Sequence, residues 1–262
     1  MKKLDFIQQK AREQFNRQSQ NYGKGHVLEK LDDLLDALKH VAVRRGQLAL
    51  DIATGSGHTG LHLASLGMQV TASDISPMML EMTRKMAEAR GLAVETKLHS
   101  AEELPYRDCS FHLVTCRVAA HHFSSPETFV REVVRVLRHG GAFILIDGTV
   151  EDDQPEAEEW THRVEKLRDP SHNRLLTPCR WSALCKQSGL KVKYWSLAQL
   201  KQPDLEWYFE TAATPKKNRV LVRKLIEHAP ESARRLFQIK EENGKIVWWW
   251  QRIQLVAFKA AS

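Results

Sequence analysis

The run Asp51-Ile52-Ala53-Thr54-Gly55-Ser56-Gly57-His58-Thr59-Gly60 can bring backbone close to a bound molecule. Gly55, Gly57 and Gly60 satisfy G-x-G-x-x-G, the spacing that seats a pyrophosphate on a helix N-terminus in nicotinamide and flavin enzymes. Asp51 argues against a pyrophosphate here. A carboxylate where a strand enters the loop repels phosphate and favours an ammonium, directly or through water. A nucleoside with an amino-acid tail, such as S-adenosylmethionine, suits the loop better. Asp51, Ala53, Thr54, Gly55 and Gly57 are therefore expected to hold it. A plain strand-to-helix turn is the competing reading. A second carboxylate, Asp74 in Ser73-Asp74-Ile75-Ser76-Pro77, can accept both ribose hydroxyls. Ile75 and Met79 read either as an adenine sandwich or as core. His121 and His122 are a third feature, since imidazole titrates near neutral pH.

These residues need elements to position them. Gln47 to Ala53 reads as a strand, His58 to Leu66 as a helix closed by Gly67, and Met68 to Ser73 as a second strand. Ser76-Pro77 opens a helix that ends at Gly91, with Ser as N-cap and Pro in the first turn. Ala93 to His99 and Phe111 to Arg117 are strands. Ser125-Pro126 starts a helix running to Gly140-Gly141, and Ala142 to Asp147 is a fifth strand. This alternation predicts an α/β fold, a Rossmann-like, doubly wound, mostly parallel sheet. Beyond Gly148 the expected elements are a helix over Glu151 to Arg168, another over Pro178 to Ser188, and a strand from Leu190 to Leu197. Gln202 to Ala229 reads as irregular to helical. Leu236 to Lys240 and Lys245 to Trp250 form a hairpin closed by Asn243-Gly244, and Ile253 to Phe258 is a further strand.

Four stretches carry a family resemblance: Asp51 to Gly60, Ser73 to Met79, Ala101 to Tyr106, and Phe111 to Gly148. Together they resemble a class I S-adenosylmethionine-dependent methyltransferase, in the branch of the ubiquinone and menaquinone C-methyltransferases. The resemblance is good over residues 46 to 148 and loose elsewhere. It implies S-adenosyl-L-methionine as cofactor and S-adenosyl-L-homocysteine as product. The family often has Asp before the Ala-Glu pair, where it reads the adenine amino group; this chain has Ser100 there. A hydroxyl accepts that bond without charge, so the contact falls to Ser100, to the backbone of Ala101, or to Glu102. The resemblance also puts Thr115 to Phe123 beside the methyl-transfer site. There His121 or His122 would remove the acceptor's proton, or else pack and cap. Arg117 would pair with an acidic ligand group or cap its strand. Tyr22, between N-terminal helices, would act as a lid over the cofactor.

Composition narrows the classes. The 262 residues carry 39 Lys and Arg against 32 Asp and Glu, a formal charge of +7 that is not gathered in a tail. Lys216, Lys217, Arg219, Arg223 and Lys224 read as a wet helix face, because no aromatic residues interleave them as a nucleic-acid groove would require. No apolar run reaches membrane-spanning length, and residues 1 to 20 lack the apolar core of a signal peptide. Cys109, Cys116, Cys179 and Cys185 form no C-x-x-C pair, so reduced thiols and a cytoplasmic location are expected. Cys116 reads as a buried inert thiol. No metal is expected.

The domain reading is a helical lid over residues 1–45, a cofactor-binding core over 46–148, and the rest of the sheet with substrate-cap insertions over 149–262. Arg168 to Arg174 is a polar cluster suited to a carboxylate or carbonyl, or a solvated loop. The leading function is methylation of a small molecule, by analogy a hydroxylated aromatic or quinone-like acceptor. Alternatives are an RNA or protein methyltransferase and a catalytically inactive S-adenosylmethionine-binding protein. A nucleic-acid partner is not favoured, and a homodimer is the assembly considered. The purified protein should bind S-adenosylhomocysteine and ignore NAD and NADP. Calorimetric heat from NAD, with none from S-adenosylhomocysteine, would overturn the reading of Asp51.

Overall fold

Apolar runs without polar alternation belong in the middle of a sheet, because a strand covered on both faces has no wet side. β1 (Leu48–Ile52), β4 (Phe111–Arg117) and β5 (Leu137–Gly148) are such strands, buried over most of their length. The computed structural model describes residues 4–19 and 27–261, so Tyr22 lies outside the described residues. With β2 (Gln69–Asp74), β3 (Val94–Leu98), β6 (Leu190–Gln202) and β8 (Lys245–Lys259) the sheet order is β3-β2-β1-β4-β5-β8-β6. A short β7 (Lys240–Glu242) pairs with β8 off that path. Strands β1 to β5 pair in parallel, and β8 runs antiparallel to β5 and β6.

Successive residues of each central strand face opposite sides. Leu50, Val114 and Phe143 pack under α5 (Pro126–Val136) and α7 (Pro178–Gln187), through Phe129, Val133 and Trp181. Their neighbours Ala49, Leu113 and Ile144 pack under α2 (Asp32–Leu38) and α3 (His58–Ser65), through Leu34 and Leu63. The capping signals work as read. Ser76 accepts from the Met79 amide at the start of α4 (Pro77–Ala89), and Ser125 from the Thr128 amide at the start of α5.

The structure departs from the sequence reading mainly at the carboxyl-terminal side. β5 begins at Leu137, five residues before the expected Ala142, because Leu137 pairs with Phe111 and the strand resumes past a register shift. Lys245 to Trp250 and Ile253 to Phe258 are one strand, β8, because β6 continues to Gln202 and supplies partners from Trp248 to Lys259, while β7 pairs with Lys245 to Val247. Gln202 to Ala229 resolves into α8 (Leu205–Thr211) and α9 (Lys216–Glu227). Asn243 and Gly244 both have positive φ (52° and 72°), the backbone of a type I′ turn, and join β7 to β8.

A smaller layer caps the sheet. α6 (Pro155–Arg168), α8, α9 and α10 (Glu231–Leu236) bury Val164, Phe209, Ile226 and Trp248 in one cluster, and Ala157, Ala233 and Phe237 in another. The amino-terminal α1 (Phe6–Gln18) is tied to this layer, since Gln14 and Gln18 both donate to the carbonyl of Ala212. α2 is tied to the sheet by Asp33, which accepts from Arg117 and Arg252 at 2.9 Å each.

Gly57 starts α3 with φ 90°, and a Cβ there would stand 2.8 Å from Cγ2 of Thr83. Gly57→Ala should therefore cost about 1–3 kcal/mol, the scale of local backbone strain. Thermal unfolding reads this directly, and an unchanged Tm would show that the loop relaxes freely.

Candidate active site

Three carboxylates, Asp51, Asp74 and Asp147, close β1, β2 and β5 at the carboxyl edge of the sheet, and all are buried. Asp51 accepts from the Gly60 amide (3.1 Å), Thr54 Oγ1 (2.5 Å) and Thr115 Oγ1 (2.7 Å). Burial raises its pKa to about 6 against the pull of these donors. These donors fix the carboxylate that is expected to favour a ligand ammonium, directly or through water. A buried carboxylate must be satisfied by nearby donors, and here the glycine loop and β4 supply them.

Asp74 accepts from the Gly55 amide (3.0 Å) and the Ser76 amide (2.8 Å), and burial likewise raises it to about 6. It lines a groove with Ala53, Thr54, Gly55, Ile75 and Met79. Phe15 of α1 and Phe123 form other parts of the wall. The groove continues past Ala53, Asp74, Ile75 and Phe123 into a recess reached by Ala101, Glu102 and Gln8. Gly57 is not on this wall; it shapes the loop from behind as the N-cap of α3.

Ser100 and Glu102 have structural occupations. Ser100 Oγ donates to Glu102 and accepts from Gln8 Nε2 (3.1 Å). The other Glu102 oxygen accepts from the Ser124 amide (2.8 Å) and hydroxyl (3.0 Å). The pair fastens this loop to α1 and to the start of α5, and Ala101 and Glu102, the other adenine contacts expected from the sequence, line the inner recess. Arg117, expected to pair with an acidic ligand group or to cap its strand, lines the groove and is held by protein acceptors. Its guanidinium donates to Asp33, the Leu28 carbonyl (2.9 Å) and the Lys30 carbonyl (2.7 Å). It anchors the amino-terminal segment, and charge burial explains why: a buried guanidinium needs all-round acceptors.

His121 and His122 lie on a one-turn 3₁₀ helix after β4. The segment after α6 holds that turn, because the amides of Asn173 and Arg174 both donate to the His121 carbonyl (2.8 and 3.0 Å). His121 Nδ1 lies 2.6 Å from Asp147 Oδ1. Burial opposes the imidazolium, but the charge and hydrogen bond of Asp147, with Glu165 and Asp169 beyond, raise the His121 pKa above its ordinary 6.5. Ser171 donates to Asp169 (2.6 Å), so it accepts from His122 Nδ1 (3.1 Å), a tautomer assigned from the network. Burial, then repulsion by His121, pulls the His122 pKa well below 6.5, so it stays neutral.

Both histidines line a second cavity, walled also by Trp207, Trp250, Phe237 and Leu175. His122, Val118 and Leu28 line both this cavity and the groove, so the two are adjoining chambers. Val118 and Ala53, at the strand ends facing the groove, both hold positive φ (55° and 52°). For a β-branched residue that is a strained backbone, of the kind found at ligand sites. Cys116 is buried, and burial drives its thiol far above the usual range, which leaves it inert. Sequence reasoning missed Asp147, and it placed His172 only within the polar cluster Arg168 to Arg174. Asp147 was readable as a third strand-end Asp, in the position of Asp51 and Asp74.

The groove suits an adenosyl amino acid. Each Asp74 oxygen keeps a lone pair for a ribose hydroxyl, and a Cβ built on Gly55 would meet no protein atom within 4 Å. Residues 50–145 match the methyltransferase domain family. The chain is 31% identical over 234 residues to the uncharacterized methyltransferase YcgJ of Bacillus subtilis, covering 88% of this chain and 91% of that one. The chain belongs to the class I S-adenosylmethionine-dependent methyltransferases. The crystal structure of YcgJ superposes with a TM-score of 0.83 at 30% identity, over 89% of this methyltransferase and all of YcgJ. A Bacillus halodurans protein assigned to the methyltransferases gives 0.82 at 28% identity, over 87% and 99% of the two chains. The demethylmenaquinone methyltransferase of Deinococcus radiodurans is 35% identical over 114 residues, 43% of this chain and 46% of its own. Among the described residues no helix is long and apolar enough to cross a membrane.

Family membership implies S-adenosylmethionine use, and Asp74 gives the test. Asp74→Ala should weaken S-adenosylhomocysteine binding by about 1.5–3 kcal/mol, the range for charge-assisted hydrogen bonds. Wild-type affinity should also fall as pH drops through about 6, because protonation of Asp74 removes its charge. Titration calorimetry at several pH values measures both. Equal constants for the two proteins would remove Asp74 from the site.

Proposed function

We propose that this methyltransferase acts on a small hydroxylated aromatic or quinone-like acceptor, with His121 as the base. One observation carries the reading: a carboxylate-backed imidazole stands on the wall of an aromatic-lined cavity that adjoins the cofactor groove. Trp207, Trp250 and Phe237 offer flat apolar surface to an aromatic ring. S-adenosylmethionine, when bound, supplies an activated methyl group and its own leaving group.

The chain's part is alignment and proton removal. With Nδ1–H donated to Asp147, His121 keeps Nε2 unprotonated, and that nitrogen takes the acceptor's hydroxyl proton. Asp147 then faces an imidazolium and stabilises it. The phenolate so formed is nucleophilic at oxygen and at its conjugated ring carbons, so one base serves either product. His122 stays neutral between the two chambers and adds no positive charge to repel a sulfonium. Asp51, Ala53, Thr54, Gly55, Asp74, Ile75 and Met79 shape and line the cofactor groove, with Ala101 at its inner recess. The small amino-terminal helices and the cap layer enclose the acceptor.

The sign of the pH dependence follows. Only neutral His121 accepts a proton, so turnover should rise with pH through a midpoint above 6.5. Asp147→Asn should move that midpoint lower, because the charge that holds the imidazolium is gone. His121→Ala should lower turnover of a neutral phenol by ~10²–10⁴-fold, with a smaller loss for a phenol already ionised at assay pH. Release of S-adenosylhomocysteine across a panel of phenols gives these rates. Wild-type rates and an unshifted pH profile in His121→Ala would rule out this base.

A further inference from the structure

His172 is the one cavity-lining histidine with no part in the reaction as derived. It is 1% exposed, and its Nδ1 has no partner among the described residues. Its Nε2 lies 3.2 Å from His162 Nδ1, and His162 Nε2, buried with no hydrogen-bond partner among the described residues, faces Glu158 Oε1 at 3.7 Å, an ion-pair separation longer than a hydrogen bond. Burial would raise the Glu158 pKa, but Arg180, His162 and Arg174 outweigh it and keep the carboxylate ionised.

That carboxylate decides where two protons sit. A bare lone pair on His162 Nε2 would face a negative charge, so the His162 proton belongs on Nε2. His162 Nδ1 is then an acceptor, and His172 Nε2–H donates to it. His172 Nδ1 is left as a lone pair, buried, unpartnered and belonging to a residue of the cavity wall. Burial and the facing His121, His122, His162 and Lys166 all keep His172 uncharged. The rings of His121 and His172 are 5.6 Å apart, close enough for one small molecule to reach both.

We infer that His172 is a specificity-determining residue whose Nδ1 accepts a hydrogen bond from a second donor on the acceptor, a hydroxyl or amino group apart from the one deprotonated. The inference rests on the aromatic acceptor proposed above. Its content is the relay Glu158–His162–His172, which presents an acceptor and never a donor. A buried lone pair without a donor is costly, so an acceptor that brings the second donor relieves that cost and binds more tightly than one that lacks it. His121 Nε2 and His172 Nδ1 thus read two polar groups on one ring.

The experiment uses the wild-type protein saturated with S-adenosylhomocysteine. Phenol, catechol, resorcinol, hydroquinone and 3-aminophenol are titrated in a calorimeter. At least one two-donor ring should bind about tenfold or more tighter than phenol, and His172→Phe should bring that ratio near one. In parallel, ¹⁵N spectra of histidine-labelled wild type should show His172 protonated at Nε2, with the Nδ1 resonance moving when the tighter ligand is added. Glu158→Gln should loosen that tautomer preference. The spectra use only wild type and Glu158→Gln, so they stand if His172→Phe fails to fold. Equal binding of phenol and every two-donor ring, or an Nδ1-protonated His172, overturns this inference and leaves the base assignment standing. No binding by any of the five rings overturns the aromatic acceptor, and this inference with it.

Discussion

A carboxylate removed from water must find donors inside the protein, and this constraint organises the carboxyl edge of the sheet. Asp51 satisfies it with the glycine loop and β4, which holds the loop against the sheet. Asp74 satisfies it with the Gly55 and Ser76 amides, which fixes the next loop relative to the first. Asp147 uses His121, which sets the tautomer of an imidazole on the cavity wall. The same requirement converts three anions into a glycine-loop brace, a groove wall and the support of a cavity-lining imidazole. Their different roles follow from which donors the neighbouring chain provides.

The constraint extends to the layers around the sheet. Asp33 sits between two buried arginines, Arg117 from β4 and Arg252 from β8, and so joins α2 to two strands at once. Glu102 joins the loop after β3 to α1 and to the start of α5. Breaking one partner of such a pair leaves a buried charge uncompensated, which is more damaging than never having the pair. The amino-terminal segment is therefore part of the site's framework. Phe15 of α1 packs edge-on against His122, with ring centroids 4.8 Å apart.

The two chambers have different physical characters. The cofactor groove is built from strand ends and tight loops, with strained backbone at Ala53 and Val118. The adjoining cavity is closed by the cap, whose own small cores around Tyr208 and Phe237 hold Trp207 and Trp250 in place. Arg168 lies over the rings of Tyr208 and Trp250, which adds a cation–π contact to the wall. One chamber depends on local sequence and the other on packing between distant segments.

That division explains what the sequence by itself determined. Strands β1 to β4, their capped helices, the Asn243-Gly244 turn, and the Asp51, Gly55 and Asp74 positions were legible because local patterns carry them: apolar runs, Ser-Pro caps, glycines at strand ends. The continuous β8 was read as two pieces because its partner β6 is distant in sequence, and pairing decided its length. Arg117 was read as a ligand contact or a strand cap, because its partner Asp33 is 84 residues away. The tie from Ser100 to Gln8 was not legible because Gln8 is 92 residues away. His121 and His122 were visible as a pair, but their roles were not. Only the tertiary structure set Asp147 against one and Ser171 against the other, and brought His162 beside His172. Residue type states which protons a side chain can exchange; the charges packed around it decide which nitrogen holds one.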